Sequence, residues 1–247
     1  MRVTMIGHCT VLLEAPGARL VTDPFFGTLG HVAYARRRPP AVTREEVGHV
    51  DGVLVSHSHW DHIDRKFLRG LDGAAPVLAP SGTSLVMKLK GARRVVPVRR
   101  WESRKIGAAV VTAVPAVHLA IALGYVVQMD DLCLYFSGDT YHRPFMSEIA
   151  RRFRIDVALM PVTTFRAPTT MGERGAVAAA RDLRPATIIP IHLGIQPRSP
   201  LLRTGQSVAG FERRLREAGL KSEVVHLGEG ESWDSAGAAV VNRAGLG

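Results

Sequence analysis

Gly52-Val53-Leu54-Val55-Ser56-His57-Ser58-His59-Trp60-Asp61-His62 sets a short apolar run directly against a cluster of potential metal ligands. An apolar run of this length that ends in polar residues reads as a buried strand, here Gly52 to Ser56. In an extended segment residues i and i+2 face the same way, so His57 and His59 are placed to hold one ion together. The chain then curves to send Asp61 and His62 toward a second. Neutral imidazole suits zinc, iron or manganese, and the carboxylate favours a more oxygen-rich neighbouring site that keeps a water. Four ligands cannot fill two coordination shells, so further ligands must arrive from later strand ends. The sequence offers three: His118 after Val114-Pro115-Ala116-Val117, Asp139 in the turn Gly138-Asp139-Thr140 after an apolar strand, and His192 at the end of Ile188-Ile189-Pro190-Ile191.

Working outward, residues 2 to 23 read as a meander of three strands, Arg2 to Met5, Val11 to Glu14 and Leu20 to Asp23, separated by turns at Ile6-Gly7 and Pro16-Gly17. Thr43 with Glu46 three residues on is the pattern of a capping box and starts a short helix. Strand and helix patterns then alternate: helix 65–72, strand 76–79, helix 81–90, strands near 94–97 and 108–114, strand Leu132 to Ser137, helix 145–153, strand Asp156 to Pro161, helices 173–184 and 207–218, and strands 186–191 and 222–227. The segment from Gly228 to Trp233 begins like a dinucleotide fingerprint but lacks its third glycine, and reads as a turn. No linker, low-complexity tract or short repeat divides the chain. The expectation is a mixed α/β fold in one domain spanning residues 1–247, with strand ends feeding polar loops.

Composition narrows the class. With 247 residues, 46% hydrophobic and 22% charged, the chain is long enough to bury a sizeable core without disulfides or structural metal. Its two cysteines, Cys9 and Cys133, lie far apart and encode neither a disulfide framework nor a zinc ribbon, which makes a reducing cytoplasm the expected compartment. The stretch Ile106 to Met129 has no charged residue and is long enough to span a bilayer. Pro115 and His118 near its middle, and its β-branched halves, instead suit two buried strands flanking a loop. The N-terminus lacks the unbroken apolar core of a signal peptide. A net charge of +10, largely from dispersed arginines such as Arg93-Arg94 and Arg99-Arg100, favours anionic partners over long range. There is no nucleophile elbow, phosphate-binding glycine loop or zinc-protease helix motif.

Taken together, these residues resemble the metallo-β-lactamase-fold metallohydrolases. The resemblance rests on the His-x-His-x-Asp-His loop, Ile6-Gly7-His8, Asp23-Pro24-Phe25, Gly138-Asp139-Thr140, the segment Asp156 to Pro161 and Pro190-Ile191-His192. The flanking features are similar to the branch that holds L-ascorbate-6-phosphate lactonase and N-acyl phosphatidylethanolamine phospholipase D. The resemblance implies a four-layer αβ/βα sandwich with two metals at one edge of two facing sheets. It implies His57, His59 and His118 as ligands of the first ion, Asp61, His62 and His192 as ligands of the second, and Asp139 as a bridge. His8 and Asp23, and with them Asp64, are expected around the site, orienting ligand imidazoles through their other ring nitrogen. Leu193 after the last ligand, and Thr169-Thr170 before the late helix, depart from many relatives and imply a different substrate pocket.

The expected activity is that of a dinuclear metal-dependent hydrolase. A metal-bridging hydroxide would attack a phosphodiester, a lactone or a similar ester or amide of an anionic small molecule. Asp61 would accept a hydrogen bond from the water, and His142 would serve as proton donor to the leaving group. Zinc is the first expectation for both ions, with manganese or iron compatible with the same donors. Two alternatives stand beside this: a nucleic-acid hydrolase or processing factor, suggested by the charge but disfavoured by the lack of an RNA-clamping insertion, and a metal-binding protein without catalysis.

Overall fold

The computed structural model describes residues 1–28, 33–36, 39–236 and 240–241. The chain begins with strands β1 (Arg2–Gly7), β2 (Thr10–Ala15), β3 (Ala18–Thr22) and β4 (Tyr34–Ala35), helix α1 (Arg44–Val47) and β5 (Gly52–Leu54). Then come α2 (Arg65–Gly70), β6 (Val77–Pro80), α3 (Ser84–Leu89), β7 (Val95–Val98), β8 (Ser103–Ile106), β9 (Ala109–Pro115), β10 (Leu123–Met129) and β11 (Leu132–Phe136). The rest comprises α4 (Phe145–Arg152), β12 (Val157–Pro161), α5 (Gly172–Leu183), β13 (Thr187–Ile191), β14 (Gln196–Pro197), α6 (Val208–Glu217), β15 (Glu223–Val224), β16 (Ser232–Asp234) and β17 (Val240–Val241).

Strand alternation divides the apolar residues into three cores. On β2, Val11 and Leu13 face the second sheet while Leu12 faces the helices; on β10, Tyr125 and Val127 face the first sheet while Val126 faces outward. One sheet runs in the order β17-β16-β1-β2-β3-β5-β6-β7, and the other β15-β13-β12-β11-β10-β9-β8. Their inner faces share the central core, with Leu20, Leu54 and Leu78 meeting Tyr125, Leu134 and Leu159. Val47, Phe67, Leu68 and Met87 bring α1, α2 and α3 onto the outer face of the first sheet. Met146, Ile149, Ala176, Ala180, Phe211 and Leu215 bring α4, α5 and α6 onto the outer face of the second. The result is the expected four layers, helices, sheet, sheet, helices. Each buried Leu, Val or Phe in these layers contributes about 1.5–3 kcal/mol.

The expected capping box forms on α1: the Thr43 side chain accepts from the Glu46 amide, and the Glu46 side chain accepts from that of Thr43. The uncharged stretch 106–129 folds as antiparallel strands, with Val114 opposite Gly124. No helix among the described residues is long and apolar enough to cross a membrane. Three differences from the sequence expectations stand out. Ser103–Ile106 is a strand at the edge of the second sheet, where polar side chains face water and no apolar pattern develops. Gly228 to Glu231 does turn, with the Glu231 amide donating to the Gly228 carbonyl, but the chain then enters β16 and pairs antiparallel with β1. The strand expected over 222–227 is only Glu223–Val224.

Among the strands that end at one edge of this sandwich, β1, β3 and β5 of the first sheet and β9, β11 and β13 of the second lead directly into the candidate donors and their supports. The edge is tied across the two sheets by Leu123, whose amide donates to the Ser56 carbonyl at 3.0 Å, and by Tyr125, whose hydroxyl donates to the Val55 carbonyl at 2.8 Å.

Candidate metal centre

After β5 the chain stays extended through His57 and His59, then tightens into a single 3-10 turn at Trp60–His62 that swings Asp61 and His62 back over the sheet edge. His59 Nδ1 lies 3.0 Å from His57 Nε2 and 3.1 Å from His118 Nε2, the latter delivered by the loop after β9. Nitrogens bound tetrahedrally at 2.0–2.1 Å stand about 3.3 Å apart, so the three atoms already surround one common point. This trio fits an ion.

A second group forms beside it. The donor atoms of His8, Asp61, His62 and His192 all lie within 4.8 Å of one another. Asp139, from the turn after β11, faces both groups: its Oδ2 is 3.1 Å from His192 Nε2, 3.5 Å from His62 Nε2 and 4.0 Å from His118 Nε2. Its other oxygen is approached by the Cys9 thiol at 3.8 Å, which helps fix the carboxylate. The turn that carries Asp139 requires Gly138: its φ is +55°, and a Cβ there would lie 2.4 Å from that of Ser56.

Strand ends turn sharply here. His8, Asp23 and His192 all have positive φ, 59°, 31° and 65°, in residues that rarely adopt it. The His192 amide donates to the His8 carbonyl at 2.9 Å, which joins the ends of β13 and β1.

Asp23 lies against the His62 imidazole and against Ser56, the neighbour of His57. Its Oδ2 accepts from His62 Nδ1 at 2.7 Å and from the Ser56 hydroxyl at 2.5 Å, and its Oδ1 accepts from the Ser56 amide at 2.6 Å. A carboxylate only accepts, so His62 Nδ1 carries a proton, and Nε2 is the nitrogen turned toward the site. Ser56 Oγ in turn accepts from His57 Nδ1 at 2.9 Å and fixes the same tautomer there. Ser56 and Cys9 are the residues that the sequence reading passed over. Ser56 lies inside the quoted motif, but nothing in one dimension shows that Asp23 arrives beside it.

Burial and charge make this a site for a cation. Burial, followed by the neighbouring His62, holds His57 well below the ordinary imidazole range, and burial lowers His118 to about 4, so both are neutral donors at pH 7. Burial would raise Asp139, yet His192 and His62 outweigh it and keep the carboxylate ionised. Burial would likewise lower His62, but Asp139, Asp23 and Asp61 overcome it and raise its pKa well above the usual value. A field that favours an imidazolium in so buried a place favours a divalent cation still more.

Two expected participants sit elsewhere. The His142 ring does not turn to the imidazoles: its Nε2 pairs with Asp182 of α5 at 2.8 Å, which ties it to the outer helical layer. Asp64 orients no imidazole. It caps α2 by accepting from the Phe67 amide at 2.9 Å and forms a two-pronged ion pair with Arg44 at 2.9 and 2.6 Å. His8 makes no hydrogen bond to a ligand imidazole among the described residues. The rim carries Tyr141, whose ring is 6.5 Å from that of His118 and lies under the Arg143 guanidinium at 5.8 Å, and Phe165, 6.0 Å from His192. A cavity of about 570 Å³ opens beside His118, lined by Val98, Arg99, Arg100, Val117 and Ile121 among others.

Comparison with known proteins identifies the family. Residues 18–193 match the Beta-lactamase superfamily domain. A UPF0173 metal-dependent hydrolase of Solibacter usitatus is 31% identical over 94% of this chain and 98% of its own length. Another, of Archaeoglobus fulgidus, is 28% identical over 95% of this chain and 99% of its own. Igni18, a metallo hydrolase from Ignicoccus hospitalis, shares the fold with a TM-score of 0.72 at 22% identity, covering 94% of this chain and 96% of that one. The chain therefore belongs to the β-lactamase superfamily and, within it, to the UPF0173 metal-dependent hydrolases.

Proposed function

We propose that the protein hydrolyses a phosphodiester, a lactone or a similar ester or amide of an anionic small molecule at a site for two divalent ions. His57, His59 and His118 would hold one ion, Asp61, His62 and His192 the other, and Asp139 would join them. The observation that carries this reading is the position of Asp139 Oδ2, which faces imidazoles of both groups at 3.1 to 4.0 Å. When bound, such a pair of ions lowers the pKa of a shared water toward about 7 and polarises the scissile carbonyl or phosphoryl oxygen. Zinc, manganese and iron all suit the donors.

The chain's own residues do the rest. Asp61 stays ionised although burial opposes it, because His62 and His8 outweigh that effect, so it accepts a proton or hydrogen bond from the attacking water. Asp23 and Ser56 engage Nδ1 of the His62 and His57 rings, so that Nε2 is the nitrogen each would offer to an ion. Arg99 and Arg100 line the cavity beside His118, and Arg143 lies over Tyr141 near the same histidine, charges that suit an anionic substrate. Because His142 is engaged by Asp182, we assign it no place at the leaving group. We read residues 1–247 as one hydrolase domain, since both sheets send donors to the same edge. The two unpaired buried thiols, Cys9 and Cys133, suit a reducing cytoplasm.

The test is metal content and turnover together. Purified protein should carry close to two ions, chelation should abolish cleavage of an activated phosphodiester or lactone, and Asp61→Ala should lower kcat at least 100-fold with the fold intact. Full turnover in chelated protein, or in the variant, refutes the reading.

A further inference from the structure

The second group of donors contains one imidazole more than the ligand set given above. His8, where β1 ends, is 2% exposed, and neither of its ring nitrogens has a hydrogen-bond partner among the described residues. A histidine that supports another ligand needs such a partner, because it acts by holding a proton in place. His8 instead points an edge at the donors themselves. Its Nε2 lies 3.3 Å from Asp61 Oδ2, in a geometry that makes no hydrogen bond, and its ring centre is 4.2 Å from that of His192 and 5.4 Å from that of His62. Its donor atom lies within 4.8 Å of those of Asp61, His62 and His192.

The backbone holds it there. The His8 carbonyl accepts the His192 amide, so the two histidines move as one unit. The chain after His192 packs so closely that a Cβ on Gly194 would lie 3.0 Å from both the amide nitrogen and the Cβ of His8. A buried imidazole with both nitrogens unpartnered, clamped beside a carboxylate and two other imidazoles, is explained by an ion that takes its lone pair.

We propose that His8 is itself a metal ligand, the fifth protein donor of the second ion beside Asp61, His62, His192 and Asp139. The inference rests on the two-ion reading above. It makes the two sites unequal. The first has three imidazoles and the Asp139 carboxylate; the second has three imidazoles and two carboxylates, which with one water gives six donors. Six donors of nitrogen and oxygen suit manganese or iron(II) better than zinc, which in protein sites prefers four.

His8→Gly is the variant to use, because the φ of 59° at this position is comfortable for glycine, so the imidazole is removed and the backbone relaxed together. Metal-free wild-type and variant proteins would be titrated with cobalt(II), reading bound equivalents by equilibrium dialysis and coordination number by the intensity of the visible absorption, with circular dichroism to confirm the fold. Wild type should take two equivalents, one with the weak absorption of a six-coordinate ion. In the variant that equivalent should bind at least 100-fold more weakly, beyond the 10–100-fold loss typical of a supporting residue, and its absorption should intensify as a donor is lost. An absorption unchanged between the two proteins overturns the inference, whatever the affinities, and leaves the two-ion reading standing. A wild-type protein that takes only one equivalent overturns both.

Discussion

Asp23 shows how much one buried carboxylate organises. It is fully buried, accepts three hydrogen bonds, and through Ser56 and His62 sets the tautomers of two imidazoles on different sides of the site. Asp23→Asn keeps the shape but puts a donor where an acceptor is needed, and lets the His62 proton move to Nε2, where a metal should bind. The expected outcome is a 10–100-fold weaker affinity for one of the two ions, measured by competition with a chromophoric chelator; an unchanged affinity would show that His62 is held by something else. At this scale the chemistry types were legible and the contacts were not. His57, His59, Asp61 and His62 announce themselves by spacing, whereas Asp23, Asp64 and His142 look alike in sequence as polar residues beside apolar runs. Only Asp23 reaches the imidazoles. Asp64 is taken by Arg44 and the start of α2, and His142 by Asp182.

Asp64 has its consequence among the elements. Its carboxylate caps α2 and grips Arg44, the first residue of α1, so it fastens two helices that cover the first sheet. Loss of a cap costs about 1 kcal/mol, and a partly exposed ion pair adds up to about 1 kcal/mol. Asp64→Ala should therefore lower unfolding stability by about 1–2 kcal/mol at pH 7, read as a lower urea midpoint. The sign of the pH dependence follows from the shift. Burial raises the Asp64 pKa, but Arg44 and the Phe67 amide outweigh it and hold the folded value below the ordinary 3.8. The ion-pair contribution is thus fully present above 3.8 and is lost as pH falls through the depressed folded value. The gap between variant and wild type should narrow in acid; a gap that widened would be inconsistent with this account. Elements with a buried face, β1 to β3, β9 to β13 and the three longer helices, were readable from apolar period. β8 and β16 were not: β8 is an edge strand of polar residues paired only with the neighbouring β9, so no apolar period marks it, and the short β16 exists by pairing with β1, remote in sequence.

For the molecule as a whole, the two sheets meet along a shared core but place their ends side by side at a single edge. His57, His59, Asp61 and His62 come from the first sheet, and His118, Asp139 and His192 from the second, so bound ions would cross-link the layers. Ions held at 100 times their dissociation constant would add about 2.7 kcal/mol each. For a chain of this size that corresponds to roughly 5–10 °C in melting temperature per ion. Chelation should lower the melting temperature by that amount in calorimetry, and an unchanged transition would argue that no ion bridges the sheets. The sequence by itself determined the alternation of strands and helices, the chemical type of the donors and the principal loop that carries them, because apolar period and local ligand spacing are properties of neighbouring residues. Only the tertiary structure decided which acidic residues and histidines meet, that Asp139 faces both imidazole groups, and that His8 stands bare beside Asp61. Those contacts join strand ends tens of residues apart in the chain, and their distances are set by how two twisted sheets pack, which no local pattern encodes.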